Sequence, residues 1–352
     1  MSHRTIYFAL WNAGLCNQLM SLENLVGLSY LLKRPVVVTK QRAKAGVACS
    51  YVPATRIHRG ALCEKYAPEI QDVLDWSRKP LHQFIGEELS PIRNRTTQQI
   101  SLKNTFVYGG GPITTDRQLF ADGRTEIIID PSTDIVCINT LSWYSRFFYS
   151  RSSDLERALE SVAFKEPYQL LARKIASSLG SFVGAHLRFT DLSRYIYALE
   201  YSDIHEGLAA LPIDRLPLVI SSDDMDHAFV RSLKIPFHPI DDLILGDFRV
   251  EFENLPFHDN TALAIISNLV LGYSDDFIGT PGSTFTGLVH RQINQRGVCK
   301  WRFFSVPFGS PISQGNVSWA DSSCPSKVRN WWREWPESKL HQGDEWALQK
   351  TK

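Results

Sequence analysis

The chain has 352 residues, of which 43% are hydrophobic and 21% charged, with a formal net charge of +1. That length suggests about two domains with ordinary cores. The near-zero net charge excludes binding to nucleic acid or an anionic membrane through an overall field, and no apolar run approaches the roughly 18 residues that span a bilayer.

Thr5 to Trp11 reads as a β-strand and lacks the basic start, apolar core and cleavage site of a signal peptide. Read as it stands, the chain is expected in the cytoplasm; as part of a longer chain, a luminal or secretory place is the alternative. Asn12-Ala13-Gly14-Leu15-Cys16-Asn17-Gln18 lies between that first strand and a helix predicted from about Gln18 to Leu32. Gly14 permits a tight turn and close backbone approach, and a helix start offers N–H groups and a positive dipole end. Asn17 adds an amide that both donates and accepts. With Gly14 as a first glycine, Cys16 and Leu19 occupy the other two glycine places of a dinucleotide fingerprint, so a nicotinamide enzyme is not favoured. Val36-Val37-Val38 is the next strand. Residues 40–125 are polar and less regular, with a short helix predicted over Pro68 to Trp76. Glu126–Asp130 and Asp134–Ile138 are predicted strands, and helices are predicted near 153–163 and 167–179.

A second β/α series follows. Ser181 to Phe189 is a buried strand ending in polar groups, and residues two apart on a strand face the same way, which puts His186 and Arg188 on one side. Arg188 suits a two-pronged grip on phosphate. His186 can hydrogen-bond a sugar or orient a phosphate, and Asp191 can hold the arginine; the bland alternative is an Arg–Asp pair closing a loop beside a buried histidine. Leu218 to Asp224 is a strand running into hydroxyls and carboxylates. Asp224-Met225-Asp226 matches the DxD metal signature, but the tripeptide is common by chance and also fits helix capping and first-turn charge, and no metal is expected. Phe277-Ile278-Gly279-Thr280-Pro281-Gly282-Ser283-Thr284-Phe285 is a strand, a small-residue loop and a helix start. Ser283, Thr284 and the backbone N–H groups there would cradle an anion, or Ser283 would simply cap the helix. Five of the nine tryptophans lie from Trp319 onward, and this tail is expected to pack on the body. The cysteines, Cys16, Cys49, Cys63, Cys137, Cys299 and Cys324, form no CxxC pair and are read as reduced thiols.

Polar groups at the carboxyl ends of successive apolar strands are how a parallel sheet presents a site. The predicted architecture is α/β: two Rossmann-like domains facing across a cleft, 1–170 on the acceptor side and 171–315 for the nucleotide, with 316–352 as the tail.

Together these segments resemble the fucosyltransferase superfamily that includes the protein O-fucosyltransferases, the α1,6-fucosyltransferases and the nodulation fucosyltransferases. Gly14-Leu15-Cys16-Asn17-Gln18, then a helix, then Arg34-Pro35-Val36-Val37-Val38, looks like the family's GGLxNQ motif and the strand after it. His186-Leu187-Arg188-Phe189-Thr190-Asp191 looks like its HxRxxD-type motif. Phe277 to Thr280 through Ser283-Thr284-Phe285 looks like its third, and Ser222-Asp223 sits at its Thr-Asp step. The likeness spans about residues 5–295.

The resemblance implies a GT-B fold and inverting transfer of L-fucose from GDP-fucose to a glycan or protein hydroxyl, without metal or other cofactor. It implies that Arg188 binds the β-phosphate, that Ser283, Thr284 and Phe285 contact phosphate and nucleotide, and that Asn17 lies near the reacting centre. Gly14, Leu15, His186, Asp223, Thr280 and Gly282 complete the expected donor contacts; Arg188, Asn17 and Asp191 are the expected catalytic set. Ala13 departs from the first glycine of GGLxNQ, and Phe189 replaces a second arginine of the α1,6 branch. No residue is marked as the base; Asp191 and Glu23 are candidates on chemistry alone. A GT-B transferase using another nucleotide sugar and an inactive carbohydrate-binding protein of the same fold are the alternatives.

Overall fold

Short runs rich in Val, Ile and Phe form the strands. In the computed structural model the described residues are 5–9, 15, 16, 19, 36–39, 74, 75, 97–100, 135–138, 162–189, 201–281, 283–297 and 302–304. The chain divides into two compact units, one holding Glu69–Ala163 and the other Phe164–Ser338. The first contains β1 (Thr5–Ala9), β2 (Val36–Thr39), β3 (Thr97–Ile100) and β4 (Ile135–Ile138), a parallel sheet in the order β2-β1-β4-β3.

The second unit carries the better-described sheet. Its strands are β5 (Val183–Leu187), β6 (Leu218–Ser222), β7 (Phe237–Pro239), β8 (Asp276–Gly279) and β9 (Arg302–Phe303). All pair in parallel, in the order β7-β6-β5-β8-β9. Every residue of β5, β6 and β8 is buried, as expected of a parallel sheet covered on both faces.

Helices follow from apolar spacing and caps. In α1 (Glu166–Leu179) Tyr168, Leu171, Ala172, Ile175 and Ala176 are buried, the three-and-four spacing of an amphipathic helix. Then come α2 (Tyr201–Ala209), α3 (Ala228–Ser232), α4 (Ile240–Leu245) and α5 (Arg249–Glu253). Helix α6 (Asn260–Leu271) is buried at nearly every position and packs on α1. Its N-cap is Asp259, whose carboxylate accepts from the N–H groups of Thr261 and Ala262 at 2.9 and 3.0 Å. The last helix is α7 (Thr284–Gln295). Val183, Ala185, Leu187, Ile204, Leu208, Ile220, Phe229 and Ile278 are among the residues of one apolar core.

The predicted strands at 36, 134, 181, 218 and 276 form with shifted ends, and the helix predicted at 167–179 forms over Glu166–Leu179. Of the helix predicted over Pro68–Trp76 only Leu74 and Asp75 are among the described residues, and these two are not helical. Leu74 is a fully buried bridge residue, and the Asp75 N–H donates to the Ala163 carbonyl at 2.8 Å. Asp75 thus takes a backbone partner 88 positions away instead of a helical one. Val162 and Ala163 also lie outside any helix. The rest of the 153–163 helix, the strand at Glu126–Asp130 and the tail from Trp319 lie outside the described residues.

Candidate functional site

Strand β5 is the centre of the second sheet. The chain adds β6 and β7 on one side of it, then crosses to add β8 and β9 on the other. The carboxyl ends of β5 and β8 are therefore the topological switch point, where open α/β sheets leave a crevice for ligands. Arg188 leaves β5 there and Thr280 leaves β8.

Arg188 was expected on the strand, but β5 stops at Leu187. The cause is a hydroxyl that takes over from the ladder. Thr280 Oγ1 accepts from the Arg188 N–H at 3.0 Å and donates to the His186 carbonyl at 2.9 Å. The Thr280 N–H also donates to that carbonyl, at 3.0 Å. Thr280 is fully buried, so its hydroxyl holds the loop that carries Arg188 rather than being open to a ligand. Asp223 acts similarly from the end of β6, accepting from the Phe189 N–H at 2.8 Å. The guanidinium-bearing loop is thus tied by main-chain hydrogen bonds to both neighbouring strands.

His186 lies within β5, 4% exposed. Its register partner on β8 is Gly279. Thr286, in the first turn of α7, bonds through Oγ1 to His186 Nδ1 at 2.9 Å. Phe285 stacks on the imidazole, with ring centroids 4.4 Å apart and planes 24° from parallel. Burial, and after it the Arg188 cation, hold the imidazole pKa well below the usual histidine range. A neutral histidine therefore sits beside a permanent cation.

Ser283 immediately precedes α7 and is fully buried, and its Oγ has no hydrogen-bond partner among the described residues. The hydroxyl does not cap the helix, which removes the bland alternative for this residue. Buried hydroxyls are rarely left unsatisfied in native proteins. Here one stands at the N-terminus of a 12-residue helix, where N–H groups and dipole favour an anion. The start of α7 is itself fixed: Asn268 of α6 donates to the Phe285 carbonyl at 3.0 Å and accepts from Gln292 at 2.9 Å. Thr284 and Phe285 are also buried.

The structure thus gathers His186, Arg188, Asp223, Thr280, Ser283, Thr284 and Phe285 around the carboxyl ends of the central strands. Leu15 belongs to the other unit and is already helical, ahead of the helix start expected at about Gln18. Gly14, Asn17, Glu23, Asp191 and Gly282 lie outside the described residues. The DxD aspartates do not cap α3. His227 does, its Nδ1 accepting from the Phe229 N–H at 3.3 Å, while Asp226 pairs with Arg231 at 3.2 Å and the Asp224 N–H donates to Ser222 Oγ. Among the described residues no cluster of three or more His, Cys, Asp or Glu side chains is placed to hold a metal ion. Phe189 stacks on His227 at 3.9 Å and packs against the core. Sequence reading missed Thr286, Asn268 and the cap at His227. Thr286 and His186 are 100 residues apart, and no local pattern announces their contact.

No protein-family model matches the chain, and no curated protein matches it in sequence. Solved structures do resemble it. A structure of fucosyltransferase NodZ from Bradyrhizobium is 11% identical with a TM-score of 0.49, covering 89% of this chain and 98% of that one. POFUT1 in complex with GDP is 10% identical with a TM-score of 0.48, covering 86% of this chain and 99% of that one. A mutant of Arabidopsis thaliana FUT1 in complex with GDP is 9% identical with a TM-score of 0.43, covering 87% and 71%. No helix among the described residues is long and apolar enough to cross a membrane.

Proposed function

We propose that this chain is an inverting fucosyltransferase of GT-B type that moves L-fucose from GDP-fucose to a hydroxyl of a glycan or protein. One observation supports this most: a buried, unpartnered Ser283 hydroxyl at the head of α7, at the switch point where Arg188 emerges. Such a place is built for an anion, and a diphosphate supplies acceptor oxygens for the hydroxyl, the helix N–H groups and the guanidinium together. The identities of the sugar and of the guanine nucleotide come from the motif resemblance, which runs through Arg188 and Ser283-Thr284-Phe285.

In the reaction the acceptor oxygen bonds to the anomeric carbon as the bond from that carbon to the β-phosphate oxygen breaks. The hydroxyl proton leaves to a base, for which Asp191 and Glu23 are the candidates. Negative charge gathers on the departing GDP. Arg188 and the start of α7 stabilise that charge, the work a metal ion does in other transferases. No metal is then required, and neutral His186 can donate to a phosphate or sugar oxygen without repelling Arg188.

The test is mass spectrometry of products formed from GDP-fucose with a panel of peptides and glycans, joined to calorimetry of GDP with and without EDTA. A fucosylated product and EDTA-insensitive binding are expected. Release of another sugar from its nucleotide, with none from GDP-fucose, would replace the donor; binding lost in EDTA would overturn the metal-free step.

A further inference from the structure

Three neighbouring facts concern one residue outside the motifs discussed so far. Thr286 is fully buried and its hydroxyl lies 2.9 Å from His186 Nδ1. It sits over Gly279, the register partner of His186: a Cβ added at Gly279 would lie 2.3 Å from Thr286 Cγ2 and 2.7 Å from its Oγ1. The preceding residue, Phe285, covers the face of the same imidazole. One helical turn therefore holds the ring by its edge and its face, and glycine at 279 is what lets that turn come down onto the sheet.

We propose that Thr286 is a positioning residue that donates to His186 Nδ1 and so fixes the tautomer in which Nε2 carries the proton, making His186 a neutral donor to the bound sugar nucleotide. A buried hydroxyl needs an acceptor for its proton, and Nδ1 supplies one. With Nδ1 accepting, the proton of a neutral ring resides on Nε2. Phosphate and sugar oxygens are acceptors, so this is the tautomer that serves them. The inference rests on the sugar-nucleotide reading for the ligand, but not for the Thr286–His186 coupling itself.

The test uses the full chain and three proteins: wild type, Thr286→Val and Thr286→Ser. Valine keeps the shape over Gly279 and removes the hydroxyl; serine keeps the hydroxyl. Two-bond proton–nitrogen spectra of histidine-labelled protein report the His186 tautomer, and calorimetry reports GDP affinity. Expected are a single Nε2–H tautomer in the wild type, a mixed or inverted tautomer in Thr286→Val with GDP binding about 5- to 10-fold weaker, and near-wild-type behaviour in Thr286→Ser. An Nδ1–H tautomer in the wild type, or a tautomer unmoved by valine, would overturn the positioning role. A shifted tautomer with unchanged GDP affinity would refute its link to the donor. Failure of the wild type to bind GDP would sink the donor reading instead, and the spectra would still decide whether Thr286 sets the ring.

Discussion

Arg188 is placed by its main chain. Its N–H is held by Thr280, and the next N–H by Asp223, so changing the side chain leaves the loop anchored. Arg188→Lys is therefore expected to fold normally, with an unchanged circular dichroism spectrum. Lysine keeps the charge and loses the planar fork that holds two phosphate oxygens. Charge grows on the leaving phosphate in the transition state, so kcat should fall with kcat/KM, by about 10²–10³-fold in analogy with loss of an oxyanion donor. Transfer at near-wild-type rates would make Arg188 structural. Ser283 offers a contrasting case. A hydroxyl buried without a partner contributes nothing to the fold of the empty protein. Ser283→Ala should leave the melting temperature unchanged or slightly raised while GDP affinity falls about 10-fold. A lost helix cap would instead destabilise by about 0.5–2 kcal/mol, and a lowered melting temperature with intact affinity would restore the capping role.

At the scale of elements, the site depends on how closely α7 approaches β8. Gly279→Ala would drive a methyl group into Thr286. Thr286 is fully buried and bonded to His186, so it has little room to yield. Overpacking of this kind costs about 1–3 kcal/mol, which urea unfolding would show; wild-type stability would mean that the helix shifts freely. Such a contact also marks where sequence reading stops. Strands β5, β6 and β8 were legible because parallel, doubly covered strands are continuous apolar runs, as in Leu218–Ser222, whereas β3, β7 and β9 carry no such run and were not foreseen. Helix α1 was legible from its spacing. The hydroxyl run Ser283-Thr284-Phe285-Thr286 was visible as a helix start, and Ser283 stood out through its type and place. What Thr286 and Thr280 touch was not legible, because both reach His186, which only folding brings near. The same holds for Asp75, whose N–H meets the Ala163 carbonyl 88 positions away. Local periodicity reports which face is buried; it says nothing of which side chain meets which across a sheet.

For the whole molecule, the clearest consequence is in the pH dependence of stability. Burial and the neighbouring Arg188 lower the His186 pKa in the folded state. In the unfolded chain a histidine titrates near 6.5. Above that pH both states hold the ring neutral, and the full stability is present. As the pH falls through about 6.5, the unfolded state takes up a proton that the native state refuses, so stability declines, by up to about 1.4 kcal/mol per pH unit from this group. The decline continues down to the lowered folded-state pKa. Asp259 works in the other direction, since burial raises its carboxyl pKa, but it is common to every variant. Urea unfolding of wild type and His186→Gln between pH 7.5 and 5.5 isolates the histidine: the wild type should lose more stability than the variant, and parallel curves would contradict a buried neutral ring. Saturating GDP adds a second reading. A diphosphate beside His186 favours the imidazolium and offsets the Arg188 cation, so the folded-state pKa should rise toward 6.5. The pH slope of the wild type should then flatten in GDP and the slope of His186→Gln should not, which ties the stability of the entire chain to the occupancy of the one crevice at the ends of β5 and β8.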